Sequence, residues 1–158
     1  MNIINCEFSG NYAKTAGVLR LIEQSGSVII KYSIFKNNGA ETIGVMYSVL
    51  ANSTLIEGSE FNFNYAERDV GVLSMTNQNN TVILNSTFYK NKASNKAVIQ
   101  VDTKSNLTLS SCLFLNNIAN MSMSIGSVTD SNRLIITKTT FKENLALKEG
   151  YGLSIMQT

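Results

Sequence analysis

Phe8-Ser9-Gly10-Asn11-Tyr12-Ala13 is the first of six copies of one pattern, F-x-x-N-x-A, and its recurrence decides the fold. The phenylalanines stand at Phe8, Phe35, Phe61, Phe88, Phe114 and Phe141, separated by 27, 26, 27, 26 and 27 residues. Three residues after each comes Asn11, Asn38, Asn64, Asn91, Asn117 or Asn144. Two further on comes Ala13, Ala40, Ala66, Ala93, Ala119 or Ala146. Two residues before each phenylalanine the chain places Cys6, Ser33, Ser59, Ser86, Cys112 or Thr139, all small side chains with a polar or thiol group. Four columns that agree in every copy make this an internally repeating chain, which has to be recognised before any local reading.

Each unit also carries two β-rich stretches. One precedes the motif, as in Val28-Ile29-Ile30 and Val82-Ile83-Leu84; the other follows it, as in Gly17-Val18-Leu19-Arg20-Leu21 and Ala97-Val98-Ile99-Gln100-Val101. Leu19, Leu21, Ile99 and Val101 alternate with Arg20 and Gln100, the period-two pattern of a strand with one face inward. Helical repeats need roughly 33–47 residues and a 3.6-residue period, and propeller blades need about 40. A unit this short, built of brief strands, predicts an all-β, right-handed parallel β-helix of about six coils, residues 1–158 forming a single domain.

Stacked coils place equivalent residues roughly 4.8 Å apart along the axis. The phenylalanines are then expected to stack ring on ring, which adds about 0.5–1.5 kcal/mol per pair beyond burial. The asparagines are read as turn residues in the left-handed region, with amides bonding local backbone and the asparagine above. Alanine fits where the chain bends close to the core. All four columns are therefore assigned to holding up the fold. Cys6 and Cys112 share a column four coils apart, about 19 Å at that spacing, whereas a disulfide needs Cα atoms within about 7 Å. Two free, buried thiols are expected.

Bulk properties remove several functions. A net charge of +2 with 15% charged residues offers no field for nucleic acid or an anionic membrane. The absence of histidine excludes histidine-dependent acid–base chemistry and the commonest metal ligand. No run of about 18 apolar residues occurs, so no membrane insertion by this segment is expected, and Met1-Asn2-Ile3-Ile4 is not a signal peptide. Phosphate-loop, dinucleotide, C-x-x-C and nucleophile-elbow motifs are absent, and Gly150-Tyr151-Gly152 reads as strand, so no cofactor is expected. Both ends run directly into strand sequence without a capping unit, which suggests a fragment of a longer solenoid.

Ile4-Asn5-Cys6-Glu7-Phe8-Ser9-Gly10-Asn11-Tyr12-Ala13 and its copies resemble the F-x-x-N units of the chlamydial polymorphic outer membrane proteins. They are also similar to the β-helix repeats of large ciliate surface proteins, within the pectin-lyase-like fold group. The bacterial family pairs F-x-x-N with G-G-A and an aliphatic residue; the matching positions here read Gly17-Val18-Leu19, Gly44-Val45-Met46 and Gly71-Val72-Leu73, with Ala97 in the fourth unit. The resemblance covers about residues 2–157 and implies an extracellular or cell-surface setting and a role in adhesion.

The same fold hosts polysaccharide lyases and hydrolases, whose sites need acidic and basic groups clustered on one face across neighbouring coils. Glu41 and Glu67 fall at one position on adjacent coils, about 5 Å apart, near the separation in retaining glycosidases. Lys14 shares their column, and Arg68 and Asp69 lie beside it. A solvated turn of exposed, mutually neutralising charges is the plainer account. Asp102 and Asp130, each after a strand in adjacent units, could share a calcium ion, but two aspartates are too few ligands to define a site. Tyr12 and Tyr65 occupy the motif's fifth position in coils one and three and read as isolated surface residues rather than a sugar platform. Sequons at Asn52, Asn79, Asn85, Asn106 and Asn120 are about as many as this composition yields by chance. The expected function is a non-catalytic surface β-helix acting in adhesion, binding or scaffolding, with a glycan or surface protein as the expected partner. A fragment of a polysaccharide lyase or hydrolase, and a purely structural spacer, are the alternatives.

Overall fold

A computed structural model describes residues 1–23, 26–96, 98–102, 105–121, 126–129, 133–148 and 154–156, with 126–129 and 154–156 as backbone. Each coil contributes four strands, two more than the β-rich stretches indicate. In the third coil these are Ser53–Glu57, Glu60–Asn62, Tyr65–Ala66 and Leu73–Thr76. Their equivalents stack into four six-stranded parallel sheets, named A to D in that order. The two extra strands are the motif itself, Glu60–Asn62 carrying Phe61 and Tyr65–Ala66 carrying the alanine. They are too short for an alternation of two to show in sequence.

Register is kept through every change of repeat length. Phe8, Phe35, Phe61, Phe88, Phe114 and Phe141 are partners along sheet B, and Ala40, Ala66 and Ala93 along sheet C. The odd residue goes into corners. Between Ala66 and Val70 the chain has one residue more than between Ala40 and Ile43, and the amides of Asp69 and Val70 both donate to the Thr42 carbonyl, at 3.3 and 3.0 Å. That is a bulge, two residues opposite one.

The aromatic column is continuous. Ring centroids are 5.1, 4.8, 4.8, 4.6 and 5.0 Å apart from Phe8 to Phe141, and along the four central rings, Phe35 to Phe114, successive rings lie within 5° of parallel to one another. Those four are fully buried, with Ile30, Ile56 and Ile83 of sheet A and Met46, Leu73 and Ile99 of sheet D around them.

The asparagine ladder differs from expectation in two respects. The left-handed residue is the one before each asparagine, namely Gly10, Asn37, Phe63, Lys90, Asn116 and Glu143, with φ from 51° to 68°. The ladder residue itself turns inward. Its amide reaches no local backbone: Asn64 Nδ2 donates to Asn91 Oδ1 at 3.1 Å and to the Phe35 carbonyl of the preceding coil at 2.9 Å. Asn64 Oδ1 in turn accepts from the backbone N–H and the Nδ2 of Asn38, at 3.0 and 3.1 Å. Asn38, Asn64, Asn91 and Asn117 are buried in the core wall, and each amide is thereby satisfied on both sides.

The column before the phenylalanines forms a second ladder. Ser33 Oγ donates to the Lys31 carbonyl at 2.8 Å and accepts the Cys6 amide at 3.1 Å; Ser59 and Ser86 repeat the arrangement. Cys112 substitutes in it, buried and free, and burial raises its thiol pKa, partly offset by hydrogen bonds with the backbone of Ser86 and Ser110. Cys6 is also free but exposed, against the expectation of two buried thiols. It lies on the first of the six rungs. A disulfide reagent under native conditions is expected to consume one thiol at once, that of Cys6, and the second only when the protein is unfolded; two equally fast thiols would contradict the placement of Cys112.

Two further details depend on close approach. A Cβ on Gly44 would fall on the Gly71 carbonyl oxygen of the next coil, and one on Gly17 on that of Gly44, so the glycine of the second motif is there for backbone packing. At the corner between sheets D and A, the core turns polar. Gln78, fully buried, accepts from Thr54 Oγ1 at 2.7 Å on its side-chain oxygen and donates its backbone N–H to Ser105 Oγ at 2.9 Å, while Ser48 Oγ nearby has no partner among the described residues.

Candidate functional site

The paired carboxylates of the second and third coils do sit in register, because Ala66 pairs with Ala40 immediately before them. Their side chains go to different partners. Arg68 Nη2 lies 3.5 Å from Glu41 Oε2, and the Tyr12 hydroxyl donates to Glu67 Oε1 at 2.8 Å, spanning two coils. It can do so because Gly39 lies between Tyr12 and Tyr65 in their column; a Cβ on Gly39 would collide with the Tyr65 ring. The two rings are 6.4 Å apart and tilted by 34°. They are not isolated residues, as the sequence suggested, but one aromatic pair. The hydrogen bond to Glu67 is the largest of several influences that raise the Tyr12 phenol pKa, so the proton stays on tyrosine.

Asp102 ends the sheet D strand Ile99–Asp102 and accepts from Gln100 Nε2. Its proposed calcium partner, Asp130, lies outside the described residues, as do Ala97 and Gly150-Tyr151-Gly152. Among the described residues, no group of three or more acidic or cysteine side chains is placed to hold a metal ion. Nor, among the described residues, is any helix long and apolar enough to cross a membrane. Of the sequon asparagines, Asn52, Asn79 and Asn85 are exposed, Asn106 and Asn120 half-buried; Asn79 Nδ2 donates to Asn52 Oδ1 at 3.0 Å.

A groove of about 490 Å³ runs along the outer face of sheet D beside the corner that leads into it. Its floor is the register column Tyr47, Ser74 and Gln100, with Thr76 and Asp102 in the next outward column. Its wall is the corner, where Thr15, Thr42, Asp69 and Asn95 recur coil by coil. The bulge at Asp69 raises the middle of that wall. At the fourth coil Lys96 takes the place of the aliphatic column Ala16, Ile43 and Val70, which puts an ammonium where the other coils are apolar. Contributions from four coils make the groove about 14 Å long at the rung spacing. One aromatic ring, amides, hydroxyls, two carboxylates and one amine in a concave strip can bind a polar, extended ligand and could move a proton on it.

Reading the sequence alone missed this groove, since its residues lie 26–27 apart and differ from coil to coil. The one legible trace is the departure from repeat: Lys96 in an aliphatic column and the extra residue before Val70.

A family model described as a right handed beta helix region matches residues 1–158. No curated protein matches the chain, and no solved structure matches it.

Proposed function

We propose, from the premise that the chain belongs to the right-handed β-helix region family, that it is a non-catalytic segment of a secreted or cell-surface protein, acting in adhesion by holding a glycan along sheet D. The observation that carries this reading is the groove floor, in which Tyr47, Ser74 and Gln100 follow one another at the rung spacing. A ring for the apolar face of a sugar, followed by donors and acceptors at regular steps, matches a polymer whose hydroxyls also repeat. The non-catalytic part is supported by Glu41 and Glu67, each held by a different neighbour and so not aimed at a common bond.

A glycan array tests it directly. Binding to one class of polysaccharide is expected, weakened about tenfold, the equivalent of about 1.4 kcal/mol, by Tyr47→Ala or Gln100→Ala. Binding that ignores both substitutions would remove the groove from the account, and uniform silence would leave a structural spacer.

One observation favours a second reading, a polysaccharide lyase or hydrolase. Asp69, Lys96 and Asp102 line the same groove, acid and base together. On that reading polysaccharides would be cut with release of new chain ends, and Asp102→Asn would stop it.

A further inference from the structure

A second groove, of about 590 Å³, opens at the corner between sheets B and C. It lies on a different face from the glycan groove and does not depend on it. Phe63 stands at its head, in the left-handed conformation with φ 58°. Glycine or asparagine holds that corner in coils one, two and five, as Gly10, Asn37 and Asn116. A bulky aromatic is poorly suited to this backbone, and burial does not compensate, because Phe63 remains 41% exposed. The ring is held in place all the same. Tyr89 meets it edge-on with centroids 5.4 Å apart, and Lys90 Nζ sits 5.8 Å from its centroid and 5.1 Å from that of Tyr89.

The rest of the groove is apolar with a cationic rung. Ile118 and Leu145 are exposed along it, and Lys90 and Lys92 project beside them. Among the described residues neither lysine has a carboxylate partner; Glu143, the acid lining the groove, is 3.5 Å from Lys142. A strained, exposed ring, aliphatic walls and two uncompensated ammonium groups have one ligand chemistry in common. We propose that the groove beside Phe63 binds a small anionic amphiphile, a carboxylate or sulfonate-like head on an apolar body, with the head on Lys90 and Lys92 and the body between Phe63, Ile118 and Leu145. The size agrees, since small-molecule pockets span about 300–1,000 Å³.

The test uses anilinonaphthalene sulfonate as probe and decanoate as competitor. Saturable fluorescence enhancement at one site per chain, displaced by decanoate, is expected for the unaltered protein. Phe63→Asn restores the residue used in coils two and five, so it should bind the probe at least about tenfold more weakly while melting a few degrees higher. Lys90→Gln with Lys92→Gln should weaken binding by a similar factor, with at most a small drop in melting temperature from the lost contact of Lys90 with the two rings. Undiminished probe binding by Phe63→Asn, a lowered melting temperature for it, no saturable site, or no displacement by decanoate would each overturn the assignment.

Discussion

Asn64→Leu is expected to lower the unfolding free energy by about 4 kcal/mol, measured by urea denaturation at neutral pH. Leucine keeps the branched four-atom skeleton but is bulkier, so the loss combines broken hydrogen bonds with some overpacking. The backbone N–H and the Nδ2 of Asn38 lose their shared acceptor, and the Phe35 carbonyl loses a donor, all inside the wall of the solenoid. Each orphaned buried group costs about 1–3 kcal/mol. Asn64→Asp, the closest substitute in shape, separates this account from a steric one. One carboxylate oxygen could still accept from Asn38, but the other would face the Phe35 carbonyl and Asn91 Oδ1, two acceptors. The folded state then favours the protonated acid, and its folded pKa rises above the unfolded value of about 3.9. Stability of Asn64→Asp should accordingly be greatest below that value and fall as pH rises through the folded pKa. A variant equally stable at pH 4 and pH 8, or a mild Asn64→Leu, would show that the ladder contributes little.

Phe61→Ala is expected to cost about 4–5 kcal/mol by the same measurement. Truncating a buried phenylalanine leaves a cavity worth about 3–5 kcal/mol, and here the ring stacks on Phe35 and Phe88 at 4.8 Å on both sides, so two stacking contacts go with it. Phe8→Ala is the internal control. Phe8 is only half-buried and stacks on Phe35 alone, so its loss should cost less than half as much. Equal effects at the two positions would mean that neither burial nor stacking on both sides sets what a rung contributes.

The architecture was legible because its determinants repeat. Phe61 and Asn64 need neighbours of their own kind at one rung spacing, and a requirement of that sort writes itself into every copy. The glycine column was legible as a pattern and intelligible only from the structure, where the carbonyl of Gly71 occupies the place a Gly44 side chain would take. The left-handed corners were displaced by one residue in the reading, because asparagine was credited with a conformational role when its amide does the work across coils. Cys6 was misplaced because a column predicts the average rung, whereas exposure is a property of the individual rung.

The candidate sites were hidden for the opposite reason. Tyr12, Gly39 and Tyr65 form an aromatic pair only because the middle member has no side chain, and Phe63 matters only because its backbone lies in the left-handed region. Neither fact is carried by residue type at a given spacing. By itself the sequence determined the repeat, the parallel stacking and which side chains form the ladders, since identical residues in register are the condition for a stacked column. Tertiary structure alone decided which exposed side chains meet, where the corners bulge and which acids are engaged, because those depend on the direction a side chain takes from its rung and on what the next coil leaves open.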